Sequence, residues 1–198
     1  MLNAQNTTYI DVETTSLDPK EGRVIEIGLV QFINGEIKHK FKQLINPEAK
    51  ISRFTTQLTG IKQKDLENSP NFDDIKDQLL EILNDTIFIA HNVNFDYGFI
   101  SEEFSRSGIG YHSDRFCTVE FSRLASPEIP RHNLTTLAEH FQIPIPNRHR
   151  AFDDAYALYE LMKIYENNLP SELFEMYFEK VLKRTTKRIQ IENSPRLF

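Results

Sequence analysis

Residues 24–44 of the chain read VIEIGLVQFINGEIKHKFKQL. Val24–Phe32 alternates well enough for a strand, and Glu36–Leu44 supplies another. Between them Asn34-Gly35 is a dipeptide suited to a two-residue hairpin turn, whose central residues both need positive φ. An antiparallel pair is therefore expected. Upstream, Thr8–Val12 reads as a buried strand. Downstream the period changes: Asp73–Leu83 (DDIKDQLLEIL) sets Ile75, Leu79, Ile82 and Leu83 at helical spacing. Thr86–Ala90 is a short apolar run fit for a central strand, and Phe95–Ser107 predicts a helix that stops at Gly108. Phe116–Thr118 suggests one more strand. Asn133 caps a helix over Leu134–Phe141, before a loop carrying Pro144 and Pro146. A long helix from Ala151 to Tyr165 presents Ala155, Leu158, Tyr159, Leu161 and Met162. A sheet that begins with a hairpin and continues with alternating helices and strands indicates an α/β domain with a mixed sheet.

With 198 residues, 39% of them hydrophobic and 26% charged, the chain suits one folded unit that buries its own core. Neither a signal peptide nor a membrane-spanning run is evident, so no membrane role is expected. Cys117 stands alone, which excludes an internal disulfide and suits a reducing, cytoplasmic setting. It reads as a small buried apolar residue rather than a catalytic thiol. A net charge of −6 argues against a protein that coats nucleic acid by bulk electrostatics. It leaves room for an enzyme that grips a strand end locally, because clustered carboxylates lower the net charge while bound cations reverse their local effect.

Three clusters carry candidate chemistry. In Asp11-Val12-Glu13 the two acids project to one side of a strand end while Val12 points to the core. Such a pair repels unless a cation lies between; its ordinary reading is solvated strand-end acids. His91-Asn92-Val93-Asn94-Phe95-Asp96 follows the strand Thr86–Ala90, so Asp96 falls near the start of the next helix. A first-turn acid stabilised by the helix dipole is the ordinary reading there. The third cluster is His149-Arg150-Ala151-Phe152-Asp153-Asp154-Ala155. Residues five apart on a helix sit about 140° from each other, so His149 and Asp154 can share a site only if His149 lies in the loop before the helix. Pro144 and Pro146 favour that loop.

Together, DVETT, HNVNFDYGF and HRAFDDA, in that order, resemble the three exonuclease motifs of the DEDDh (DnaQ-like) exonucleases, most nearly the proofreading epsilon subunits of bacterial DNA polymerase III. The resemblance runs from about Tyr9 to Tyr165, and LTGI (Leu58–Ile61) with the preceding Ile45-Asn46-Pro47 also fits it. It implies a ribonuclease H-like fold with a mixed five-stranded sheet flanked by helices, with residues 1–168 as the exonuclease domain and 169–198 as a C-terminal helix and flexible tail. It implies catalytic Asp11, Glu13, Asp96, Asp154 and His149, Asp153 being the neighbour that does not align. The sister class carries tyrosine four residues before the last aspartate; Arg150 stands there in this chain, which places it in the histidine class. Where the family usually has glycine, this chain has Ser16, from which only modest local adjustment near Leu17 is expected.

On that resemblance two divalent ions, Mg²⁺ or Mn²⁺, are implied, hard cations suited to oxygen ligands. Asp11 would bridge them, Glu13 and Asp154 would complete the site that holds the nucleophilic water, and Asp96 would hold the second ion. His149 would act as general base. Leu17, Phe95 and Phe152 are candidates to stack on or wedge the terminal base, each weighed against plain core packing. Thr14, Thr15 and His91 are candidates for the terminal sugar or phosphate. The implied substrate is a single-stranded or frayed DNA 3′ end. RNA is the alternative, because the 2′-hydroxyl pocket that would decide cannot be located in the sequence. A polymerase-associated binding module is the alternative of another class. Ser171–Arg188 forms an amphipathic helix, with Phe174, Tyr177, Phe178 and Val181 on one stripe and Lys180, Lys183, Arg184, Lys187 and Arg188 on another. The closing Leu197-Phe198, in Ser194–Phe198, resembles the end of peptides that dock on a sliding clamp; a DNA polymerase subunit is the other expected partner.

Overall fold

The Asn34-Gly35 turn has φ of 52° and 86°, so both central residues adopt the left-handed conformation that matches the twist of the flanking strands. It joins β2 (Val24–Ile33) to β3 (Glu36–Leu44). β1 (Thr7–Thr14) pairs antiparallel with β2, and β4 (Ile87–Ala90) pairs parallel with β1 on its other side. β5 (Arg115–Cys117) closes a five-stranded mixed sheet of order β3-β2-β1-β4-β5. A computed structural model of the chain describes residues 5–192, and side chains as far as residue 185. Ser194–Phe198, with its Leu197-Phe198 end, and the side chains of Lys187 and Arg188 lie outside the described residues.

Helices cover both faces. On one, α7 (Ala151–Asn168) lies across β1 and β2, with the Tyr159 ring 5.6 Å from Tyr9 and 5.8 Å from Phe32. Tyr9, Asp11 and Glu13 alternate onto that face, as do Glu26, Gly28 and Val30 through the antiparallel register Asp11↔Gly28 and Glu13↔Glu26. On the other face Gln31 Nε2 donates to the Ile82 carbonyl of α3 (Phe72–Leu83), a helix held at its start by an Asn71/Asp74 capping box. α4 (Val93–Arg106) joins this layer through Phe104, whose ring meets Phe72 edge-on at 5.1 Å. Tyr9, Ile10, Leu29, Phe88 and Phe99 are fully buried in the core.

Three helices go beyond the sequence expectation: α1 (Arg53–Thr59), α2 (Gln63–Leu66) and α5 (Thr118–Ala125). α1 is two turns rich in β-branched threonine, too short for a 3.6-residue pattern to register. It is defined by its ends. Ser52 caps the Thr55 amide, and Gly60 turns left-handed at φ 74°. α5 begins at Thr118 with no loop after β5, which moves Thr118 from the expected strand into a helix. α6 (Leu134–His140) starts at the expected Asn133 cap. The last helix, α8 (Ser171–Glu192), seats Phe174, Phe178 and Val181 in the core, with Phe178 stacked 4.3 Å from Phe116.

Candidate active site

The three clusters meet at the end of the sheet where β1 and β4 finish. β1 outlasts β4: their pairing stops at Tyr9↔Ile89, so the Val12 amide has no strand partner on that side. Asp96 takes it instead, its Oδ1 accepting the Val12 N–H at 3.1 Å. Asp96 can reach because Asn92, at φ 65°, turns the chain from β4 straight into α4 and leaves Asp96 in the first helical turn, 2% exposed. Asp154 occupies the corresponding place on α7 and is 6% exposed. Its Oδ2 accepts the His149 N–H at 3.0 Å, which ties the preceding loop to the helix. His149 therefore lies before the helix, as its spacing from Asp154 required. One ligand atom from each of Glu13, His149 and Asp154 lies within 4.8 Å of the others.

Acids packed this closely in a half-dry cleft resist ionisation. Burial, then the Asp154 charge, pushes Glu13 from 4.5 to about 8. Burial pushes Asp154 from 3.8 to about 6 against the hydrogen bond from His149. Asp11 is raised well above the carboxylate range by desolvation and then by Asp96, Asp154 and Glu13, and Asp96 is raised chiefly by burial. Asp154 Oδ1 is buried and has no hydrogen-bond partner among the described residues. An orphaned acceptor beside mutually repelling carboxylates is the environment a divalent cation satisfies, since it supplies charge and takes oxygen lone pairs directly. These residues fit such a metal. Desolvation, then the Arg148 charge, holds the half-buried His149 below its usual 6.5, which keeps the imidazole neutral and able to accept a proton near neutrality.

A cleft of about 250 Å³ opens over these groups. Of the residues expected to hold substrate, Thr14, Thr15, Leu17 and Phe95 line it, and Leu17 is 84% exposed. His91 and Phe152 do not line it. His91 Nδ1 pairs with Thr118 Oγ1 at 2.9 Å in the seam between β4 and α5, and burial lowers its pKa to about 4. Phe152 packs on the core with its ring stacked 6.2 Å from Tyr156.

α1 contributes what sequence reading missed. Ser52, Phe54, Thr55, Leu58 and Thr59 line the same cleft, with Phe54 69% exposed and Leu58 43% exposed. The LTGI motif marked this segment, but only the fold shows that it faces the carboxylates. Ser16 needs no left-handed backbone: it is not among the described non-glycine residues with positive φ. Its Oγ accepts the Asp18 N–H at 3.2 Å, so serine closes the turn.

Comparison with known proteins bears on the family and the fold. The RNase T family model, described as an exonuclease, matches residues 8–162. The chain is 37% identical to the 3′-5′ exonuclease DinG of Bacillus subtilis over 156 residues, 78% of this chain and 17% of that protein. It is 34% identical to a PolC-type DNA polymerase III of Caldanaerobacter subterraneus over 151 residues, 76% of this chain and 11% of that one. It thus spans less than a fifth of the length of these relatives. Exonuclease X in complex with 5′ overhanging duplex DNA superimposes with a TM-score of 0.68 at 21% identity, covering 87% of this chain and 99% of that one. E. coli exonuclease I in complex with a dA16 oligonucleotide gives 0.75 at 16% identity, covering 87% and 42%.

Proposed function

The chain belongs to the RNase T family of exonucleases, and on that premise we propose that it is a 3′–5′ exonuclease of the DnaQ-like class that trims DNA 3′ ends to nucleoside monophosphates in replication proofreading or repair. The observation that carries the reading is that Asp11, Glu13, Asp154 and His149 line one cleft, with Asp96 buried close to Asp11 on the Val12 amide and Asp154 Oδ1 left unpaired among the described residues. Nucleases of this class use divalent metals. Here two Mg²⁺ or Mn²⁺ ions, held by the four carboxylates, would supply charge to the attacking and leaving oxygens of an in-line displacement.

The protein's own part follows from the geometry. A neutral imidazole nitrogen of His149 takes a proton from the attacking water. The water oxygen bonds to phosphorus as the bond to the 3′-oxygen of the penultimate nucleotide breaks; the terminal nucleotide leaves with a 5′-phosphate, and the freed 3′-oxygen takes a proton from solvent to become a hydroxyl. Leu17, Phe95, Phe54 and Leu58 meet the terminal base. Stacking and wedging of this kind tolerate any base, which suits end trimming. Thr14 and Thr15 are less free to bind the sugar than their position suggests. Thr14 Oγ1 donates to the Ser16 carbonyl at 2.6 Å, and Thr15 Oγ1 accepts the Arg23 N–H. Their remaining hydrogen-bonding capacity would serve the sugar–phosphate.

Similarity to a PolC-type DNA polymerase III supports DNA as substrate and a DNA polymerase as partner. The test uses 5′-labelled single-stranded DNA and RNA of matched sequence with Mg²⁺, with and without chelator. Stepwise shortening of DNA from the 3′ end, faster than RNA and abolished by chelator, is the expected result. Faster shortening of RNA would transfer the reading to an exoribonuclease.

A further inference from the structure

Glu26 is fully buried on β2, directly opposite Glu13 in the register and on the same face of the sheet. A fifth acid beside four others is costly unless it is paired and fully hydrogen-bonded. It is both. Arg150 Nε donates to Oε1 and Oε2 at 3.2 and 3.0 Å, and Arg150 Nη2 donates to Oε1 at 2.7 Å. The Ala151 N–H donates to Oε2 at 3.1 Å. Arg150 stands at the cap position of α7, yet its side chain makes no capping bond; the orphan amide of the first turn is satisfied from β2 instead. Gly28, two residues along on the same face, lets the helix come this close. A Cβ there would lie 2.0 Å from the Phe152 nitrogen.

His149 immediately precedes Arg150 and has φ of 58°, a conformation that costs a non-glycine residue energy and persists only where its surroundings enforce it. Two anchors enforce it, the Asp154 carboxylate on the His149 N–H and the Arg150–Glu26 fork one residue later. Arg150 is not among the residues lining the cleft. We propose that Glu26 and Arg150 are positioning residues that hold the His149 imidazole at the reaction centre, acting on chemistry through His149 and not through contact with substrate. The inference rests on the exonuclease reading.

The test is a double-mutant cycle on a short single-stranded oligonucleotide, with Mn²⁺ affinity measured alongside. Glu26→Gln is expected to lower kcat roughly 10–100-fold, the scale of a small misplacement of a catalytic group. KM and Mn²⁺ affinity should stay within about twofold. In a His149→Ala background the same change should cost less than about twofold, because the group it positions is gone. Arg150→Lys keeps the charge but loses the fork. It should show the same coupling, and it carries the test if Glu26→Gln does not fold. Equal losses in both backgrounds, or wild-type kcat in both single variants, would overturn the assignment. A wild type that does not cleave overturns the exonuclease reading and this inference with it, whereas a wild type that cleaves with additive variants overturns this inference alone.

Discussion

Replacing Glu13 with glutamine is expected to stabilise the metal-free protein at alkaline pH while destroying cleavage. Glu13 is 9% exposed, and burial with neighbouring acids pushes it from 4.5 to about 8. A carboxyl whose folded pKa is raised binds its proton more tightly in the native state. Its contribution to stability is complete below 4.5 and is lost as pH rises through about 8. At about 1.36 kcal/mol per pH unit, the gap between those values corresponds to ~5 kcal/mol across the window. This is a ceiling, since Asp11, Asp96 and Asp154 share the repulsion. For a domain of this size it converts to a melting-temperature difference of about 10–20 °C. Thermal melts in chelator between pH 4.5 and 9 read it directly. The wild type should lose stability as pH rises, Glu13→Gln should lose less, and saturating Mg²⁺ should flatten the wild-type dependence by supplying the missing charge. A variant that melts at or below the wild type at pH 8.5 in chelator would refute the reasoning, as would a metal-free wild type whose melting does not fall over this range.

Two further outcomes follow from the site. With Mg²⁺ saturating, the acid limb of the rate profile should have its midpoint below 6.5, because desolvation and Arg148 hold His149 below its usual value and only the neutral ring accepts a proton; a profile measured from pH 5 to 9, and its loss in His149→Ala, checks this. Phe54→Ala should raise KM for single-stranded DNA roughly tenfold with kcat little changed, the low end of what one stacked base contributes; steady-state kinetics on a short oligonucleotide separates the two.

The sheet was readable because each signal lay within a few residues. Asn34-Gly35 dictates a turn by backbone conformation alone, and Val24–Ile33 is apolar enough to be buried on both faces. The five candidate catalytic residues came from the resemblance of DVETT, HNVNFDYGF and HRAFDDA to a known family, because each cluster alone reads as ordinary strand-end or helix-start acids. Two kinds of information were not local. The wall from α1 depends on where a seven-residue helix docks, and Phe54 and Leu58 look like ordinary apolar residues until the fold leaves them exposed over the carboxylates. The Glu26–Arg150 pair joins residues 124 positions apart, and in VIEIGL a glutamate reads as one polar position in an alternating strand. Phe152 and His91 show the converse error. Membership of a motif does not place a side chain in the cleft: His91 is taken up by Thr118 and Phe152 by the core.

The central claim is that four carboxylates hold divalent cations while His149 moves a proton, and the closeness of His149 to Glu13 and Asp154 makes the division of labour open to direct measurement. Mn²⁺ binding by calorimetry and single-turnover cleavage of 5′-labelled single-stranded DNA, made on the same preparations of wild type, Asp154→Asn and His149→Ala, measure it. Asp154→Asn should lose both cation binding and cleavage; His149→Ala should bind Mn²⁺ like the wild type and cleave roughly 10²–10⁴-fold more slowly. Loss of Mn²⁺ from His149→Ala, or undiminished cleavage by Asp154→Asn, would contradict the account.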